Sequence, residues 1–109
     1  MVQTLPGNKS DVAVLKVSGP LSIHNFFEFQ ELSREQSSGI LIVDLSDVPY
    51  IDSAALGCLV GIHVSREKNG RKYAIVGAND RLHKVFAMTG ISQFLVNYPT
   101  MREAEAALG

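Results

Sequence analysis

Ile40-Leu41-Ile42-Val43-Asp44-Leu45-Ser46-Asp47-Val48-Pro49-Tyr50-Ile51-Asp52-Ser53-Ala54-Ala55-Leu56-Gly57 is the stretch that decides the fold. It opens on a short apolar run rich in β-branched residues, Ile40 to Val43, which suits a central strand buried on both faces. Asp44 to Pro49 reads as a loop leading away from it. Ser53 to Lys68 then carries the strongest helical pattern in the chain. Ala55, Leu56, Leu59, Val60, His63 and Val64 follow i, i+3, i+4, i+7 spacing, and Asn69-Gly70 ends the run. Tyr73 to Gly77 is a second buried strand, so the stretch and its continuation form a strand–helix–strand unit.

Working outward, Val2 to Leu5 and Val12 to Val17 read as two strands around a turn at Gly7-Asn8 and Ser10-Asp11. In the second, Ala13, Leu15 and Val17 make one fully apolar face, and Gly19-Pro20 stops it. Ser22 to about Gln36 turns helical on Ile23, Phe26, Phe27, Phe29 and Leu32, with Ser22 or Asn25 as cap and Ser37-Ser38-Gly39 as terminator. A further helix runs from Asn79 or Asp80 to Thr89, with Leu82, Val85 and Phe86 inward and Gly90 at C′. Phe94-Leu95-Val96 reads as a last short strand, and Thr100 with Glu103 as the capping box of a final helix ending near Leu108. Helices separate the strands after the first hairpin. The fold class is therefore α/β, one domain over residues 1–109, with a mostly parallel sheet of about five strands and about four helices.

Composition narrows the function. With 109 residues, net charge -1 and pI near 6.3, the chain lacks the basic surface that a nucleic-acid binder needs. Arg66 to Lys72 is read as a solvated helix end. The lone Cys58 forms no internal disulfide and no cysteine-based metal site, which fits a reducing, cytoplasmic setting. Met1 to Pro6 lacks the pattern of a signal peptide, and the longest stretch without a strongly polar residue, Ala54 to Ile62, falls short of the ~20 residues a membrane span needs. No membrane insertion is expected.

Catalysis finds no support either. There is no Gly-x-Ser-x-Gly elbow, and His63 lies ten residues from Ser53 on the same helix, about 15 Å by helical rise. It is read as a packed, hydrogen-bonded residue. His24, His63 and His83 lack metal-ligand spacing. The glycine patterns of nucleotide and dinucleotide sites are missing, so no cofactor is expected. Asp44 ends a strand as a receiver's acceptor aspartate does, but no carboxylates follow Val17 to complete a Mg²⁺ site. It is read as a loop-capping residue. Gly57-x-x-x-Gly61 is read as close packing of its helix on the sheet. Phe26, Phe27 and Phe29 cover more of their helix than one core face requires. They mark either a surface for a partner or a second copy, or a wide apolar stripe beneath a loop.

Asp52 and Ser53 stand at the first turn of the strongest helix, where unpaired N–H groups and the dipole favour negative charge. Both are favoured N-cap residues, and capping alone accounts for either. A phosphate on Ser53 would also be accepted there, solvated by those amides, and would add about -1.5 to -2 charges at a surface.

Taken in order, Leu41 to Leu45, Val48 and Ile51-Asp52-Ser53-Ala54-Ala55-Leu56-Gly57 resemble the signature of STAS domains (sulfate transporter and anti-sigma factor antagonist). Ser18-Gly19-Pro20-Leu21 resembles that family's turn before its first helix. Asn79 to Phe94, with Thr89-Gly90-Ile91, is similar to the segment before its last strand, and Tyr98-Pro99-Thr100 to Leu108 fits its tail. The resemblance implies a non-enzymatic antagonist that binds an anti-sigma factor with serine kinase activity and so releases a sigma factor. It implies phosphorylation of Ser53 by that kinase, reversal by a PP2C-type phosphatase, and Asp52 as its conformational neighbour. The implied partner face is Ser46 to Ile51, including Tyr50, with Asp52, Ser53 and Ala54, and with Gly19-Pro20-Leu21-Ser22 close by. A second role implied by the same family is an unphosphorylated scaffold or regulatory subunit of a stress-signalling or transporter complex. Many members carry Gly two residues after the serine. Here that position is Ala55, which favours the helix and adds a methyl where a partner backbone could approach.

Overall fold

In the computed structural model, which describes residues 1–108, five strands and four helices alternate. The strands are β1 (Val2–Pro6), β2 (Val12–Ser18), β3 (Ile40–Asp47), β4 (Lys72–Val76) and β5 (Asn97–Tyr98). The helices are α1 (Phe26–Glu35), α2 (Ser53–Lys68), α3 (Asp80–Met88) and α4 (Met101–Leu108). The sheet runs in the order β1-β2-β3-β4-β5; β1 is antiparallel to β2 and every later pair is parallel.

Side chains alternate across this sheet with period 2. Leu15 and Val17, Leu41, Val43 and Leu45, then Tyr73 and Ile75 face one side, where α1, α2 and α3 close over them with Phe29, Ala55, Leu59, Leu82 and Phe86. Val12, Val14, Ile42, Ala74 and Val76 face the other side, covered by α4 through Ala104 and Leu108. Because β3 lies between β2 and β4 with a helical layer on each face, its first half, Ile40 to Val43, is apolar without alternation.

Several expectations shift. β3 continues to Asp47, so Asp44 belongs to the strand and not to a loop. It sits opposite Lys16 in register. The apolar run at 94–96 is not itself the last strand: Phe94 and Leu95 amides bond back to the Ile91 carbonyl in a turn, Leu95 is buried as a core plug, and the pairing with β4 starts at the Val96 carbonyl, which accepts from Ile75 N–H at 2.7 Å, and runs through Asn97–Tyr98. α1 starts at Phe26 rather than near Ser22; Asn25 is its N-cap residue but spends its side chain on the preceding turn. On α2 the buried stripe is Ala55, Cys58, Leu59, Ile62 and Arg66, while Val64 is exposed. Gly57 and Gly61 are exposed, and a Cβ at either would meet nothing within 4 Å, so the pair does not pack on the sheet.

Candidate functional site at the start of helix α2

Three connections converge at the carboxyl ends of the strands. The first follows β2. Gly19 turns the chain with φ +86, a left-handed conformation that glycine adopts without strain, and its amide donates to the Asp47 carbonyl at 3.0 Å. Residues 20–25 then close on themselves: Asn25 accepts from Ser22 N–H at 2.8 Å and donates to the Pro20 carbonyl at 2.9 Å. Leu21 pairs with Ile51 in an isolated parallel bridge, its amide donating to the Tyr50 carbonyl and its carbonyl accepting from Asp52 N–H.

The second connection, 48–52, leads into α2. Asp52 is extended, with φ -109 and ψ -176, and its two carboxylate oxygens do different jobs. One accepts from Ala55 N–H at 3.0 Å and caps the helix. The other accepts from Ile23 N–H at 2.8 Å and ties the 19–23 turn to α2. These two amides, Ala55 first, hold the Asp52 carboxyl below the usual aspartate range against the smaller opposing effect of desolvation.

With Asp52 in the capping role, Ser53 is left over. Its side chain is exposed and its hydroxyl makes no hydrogen bond among the described residues. The two alternatives for these residues thus separate: Asp52 is the cap, and Ser53 is not.

The third connection precedes α3. Asn79 caps α3 by accepting from Leu82 N–H at 2.8 Å, and its amide donates to the Val48 carbonyl at 3.2 Å. Gly77, at φ +73, lets the backbone come close to Ser46; a Cβ there would stand 2.8 Å from Ser46 Cβ. Arg81 lies 5.5 Å from the centre of the Tyr50 ring, a cation–π arrangement.

Of the expected partner-face residues, Ser46, Tyr50 and Ser53 are exposed, while Gly19, Asp52 and Ala54 are half-buried. Leu21 differs: its side chain is fully buried, and its backbone holds the turn through the bridge to Ile51. Ala55 is also fully buried, which corrects the expectation that its methyl would meet a partner. Sequence reasoning missed Ile23 as the amide gripped by Asp52, and Asn79 as the tie to α3. The helical spacing from Ile23 to Leu32 hid the first, whereas the cap signal at Asn79 was visible without its second bond. Ile23 is 65% exposed, as is Phe27 at 64%, whereas Phe29 is buried.

Other polar residues are engaged elsewhere. Lys16 bridges Asp47 at 3.3 Å and Asp44 at 3.6 Å, and these partners, Asp47 first, raise its pKa. Asp44 also accepts from Ser46 N–H. His63 is 2.8 Å from the Tyr73 hydroxyl through Nδ1 and 2.9 Å from Glu67 through Nε2, as expected of a packed histidine. Burial pushes the Cys58 thiol up. Among the described residues, no helix is long and apolar enough to cross a membrane.

This fold and this site define a small α/β module whose exposed serine opens a helix beside a capping aspartate. The chain belongs to the STAS domain family, whose model matches residues 5–104. It is 30% identical over 84 residues to the anti-sigma-B factor antagonist of Staphylococcus aureus, covering 74% of this chain and 78% of the relative. A crystal structure of a candidate anti-sigma factor antagonist from Thermotoga maritima superposes with a TM-score of 0.89 at 26% identity, over 98% of this chain and 93% of that one. The anti-sigma factor antagonist SpoIIAA in its unphosphorylated form shares the fold at a TM-score of 0.79 and 17% identity, over 98% and 95% of the two chains. The same Bacillus protein in its phosphorylated form gives 0.75 and 16%, over 100% of each chain.

Proposed function

We propose that this protein is an anti-sigma factor antagonist, a cytoplasmic module that acts by binding and is switched by phosphorylation of Ser53. Its partner is an anti-sigma factor with serine kinase activity, and a PP2C-type phosphatase restores the free hydroxyl. The partner face is built from Gly19, Ser46, Tyr50, Asp52, Ser53 and Ala54, with Leu21 anchoring it from below. One observation carries this reading: at the first turn of α2 Ser53 is exposed and its hydroxyl makes no hydrogen bond among the described residues, while Asp52 does the capping. A phosphate there breaks no internal bond, sits at the positive end of a helix dipole and adds about -1.5 to -2 charges to the surface. The fold stays as it is and recognition changes. The names of the curated relatives support the same role.

The test is ATP-dependent mass change of this protein with the serine-kinase anti-sigma factors of its own host, the site being mapped by fragmentation. A single phosphate on Ser53 is expected, with loss of the complex on modification. A stable complex with no phosphate on Ser53 would refute the switch and leave a binding scaffold.

A further inference from the structure

A cleft of about 250 Å³ opens between α1 and α2; Gln30, Ser33 and Arg34 line it from α1, Gly61, Ser65 and Arg66 from α2, and Leu41, Cys58 and Ile62 supply its apolar lining. Gly61 lies about 12 Å along α2 from Ser53 by helical rise. Among the described residues Arg66 is the single buried charged residue, 5% exposed. Two of its five N–H donors go to carbonyls, Nη1 to Ser38 at 2.6 Å and Nη2 to Gln36 at 3.0 Å. Among the described residues no carboxylate comes within ion-pair distance of it: Asp11 acts on it only from farther off, and Arg71 opposes that effect. A buried guanidinium without a counter-ion keeps an uncompensated positive charge in a low-dielectric setting.

The opposite wall brings a second guanidinium. Arg34 makes a loose, solvent-exposed pair with Glu31 at 3.6 Å, and among the described residues no carboxylate lines the cleft. The Ser65 hydroxyl and the Gln30 amide add uncharged donors with no hydrogen bond among the described residues. The volume is well above the ~30 Å³ share of one water. The α2 side of the cleft is open: a Cβ at Gly61 would meet nothing within 4 Å. Two arginines and neutral donors around a void with no acid match a tetrahedral oxyanion, which accepts several hydrogen bonds at once.

We propose that this α1–α2 cleft binds a small phosphate-class anion, as free phosphate or as the phosphoryl end of a phosphomonoester, between Arg34 and Arg66. The site is separate from Ser53 and does not depend on its modification.

The test is amide chemical-shift titration of the ¹⁵N-labelled full chain with inorganic phosphate and, in a second arm, glycerol phosphate, each against sodium chloride at equal ionic strength. Saturable shifts confined to residues 30–34 and 58–66 are expected, weakened several-fold by Arg34→Gln. Gly61→Leu fills the cleft from an open helix surface, so it should abolish those shifts while leaving the circular dichroism spectrum unchanged. Tighter binding of one probe names that source as the occupant. Shifts that do not saturate, that scatter over the surface, or that persist in Gly61→Leu would overturn the proposal. Arg66 itself is left intact because it also holds the α1–β3 connection.

Discussion

The two ends of helix α2 grip the same neighbour by opposite means. At its start Asp52 reaches back to Ile23 N–H, just before α1; toward its end Arg66 reaches the carbonyls of Gln36 and Ser38, just after α1. Each end thus ties α2 to one end of α1 through a single charged side chain. The settings differ. Arg66 is buried, whereas Asp52 is half-buried beside the exposed Ser53. A charge fixed in the interior holds a connection permanently; a charge at the rim holds a surface that a partner can read. Stability is therefore expected to concentrate at the Arg66 end and recognition at the Asp52 end.

The strongest way to break that contrast is Arg66→Ala. It strips two charge-assisted hydrogen bonds from the half-buried carbonyls of Gln36 and Ser38 and removes the buried aliphatic stem of Arg66, a loss of about 3 kcal/mol. Urea unfolding should show it as a lower midpoint. A loss under about 1 kcal/mol would mean that water replaces the guanidinium and that this end is not structural.

At the other end the expected effect is on binding. Ser53→Asp should weaken the complex with the cognate anti-sigma factor at least tenfold, about 1.4 kcal/mol, with stability nearly unchanged. Ser53→Ala should keep the affinity and accept no phosphate. Equal affinity for Ser53→Asp and the parent, measured by calorimetry, would break the division between the two ends.

Asp52→Ala removes both a cap and the tie to the 19–23 turn. Its unfolding constant should rise about fivefold, less than for Arg66→Ala. The pH dependence sharpens this. The folded-state pKa of Asp52 is depressed by the Ala55 and Ile23 amides. Its contribution is then fully present above the unfolded-state value, about 3.9, and disappears as pH falls through the lower folded value. The stability gap between the parent and Asp52→Ala should be constant from pH 5 to pH 7 and close in acid. A gap that stayed open below that range would assign the effect to packing and not to the carboxylate.

Much of this was legible in the sequence, and the failures have physical causes. The β3–α2–β4 unit is evident because Ile40 to Val43 and Tyr73 to Val76 are uninterrupted apolar runs, and because Asp52, Ser53 and Asn69-Gly70 punctuate the helix. The buried face of α2 was not legible. Apolar residues fall all round it, so Val60 and Val64 fit a helical stripe as well as Cys58 and Ile62 do, and tertiary packing decides. Phe94 to Val96 has strand composition, but Phe94 and Leu95 turn back onto the Ile91 carbonyl and only Val96 reaches β4, its carbonyl accepting from Ile75 N–H while its own N–H donates to the Tyr73 hydroxyl at 3.1 Å. The site was readable as a pair, Asp52-Ser53, yet its division of labour was not. That depends on Ile23, 29 residues upstream, which no local pattern connects to Asp52.

The smallest effect has the opposite sign. Gly57 lies in the interior of α2, exposed, with nothing within 4 Å of where a Cβ would stand. Glycine there carries a conformational-entropy cost that no packing recovers, so Gly57→Ala should stabilise the protein by about 0.5–1 kcal/mol. Thermal unfolding would show a higher midpoint. Had the Gly57–Gly61 pair served to bring α2 close to the sheet, the same methyl would force the helix outward and destabilise. The position also lies one turn beyond Ser53 on α2. If Gly57→Ala raises the midpoint but weakens the complex, the partner face extends past Ser53 along the helix, and the glycine is kept for recognition at the cost of stability. If affinity is unchanged, recognition ends at the first turn, within reach of a phosphate placed on Ser53.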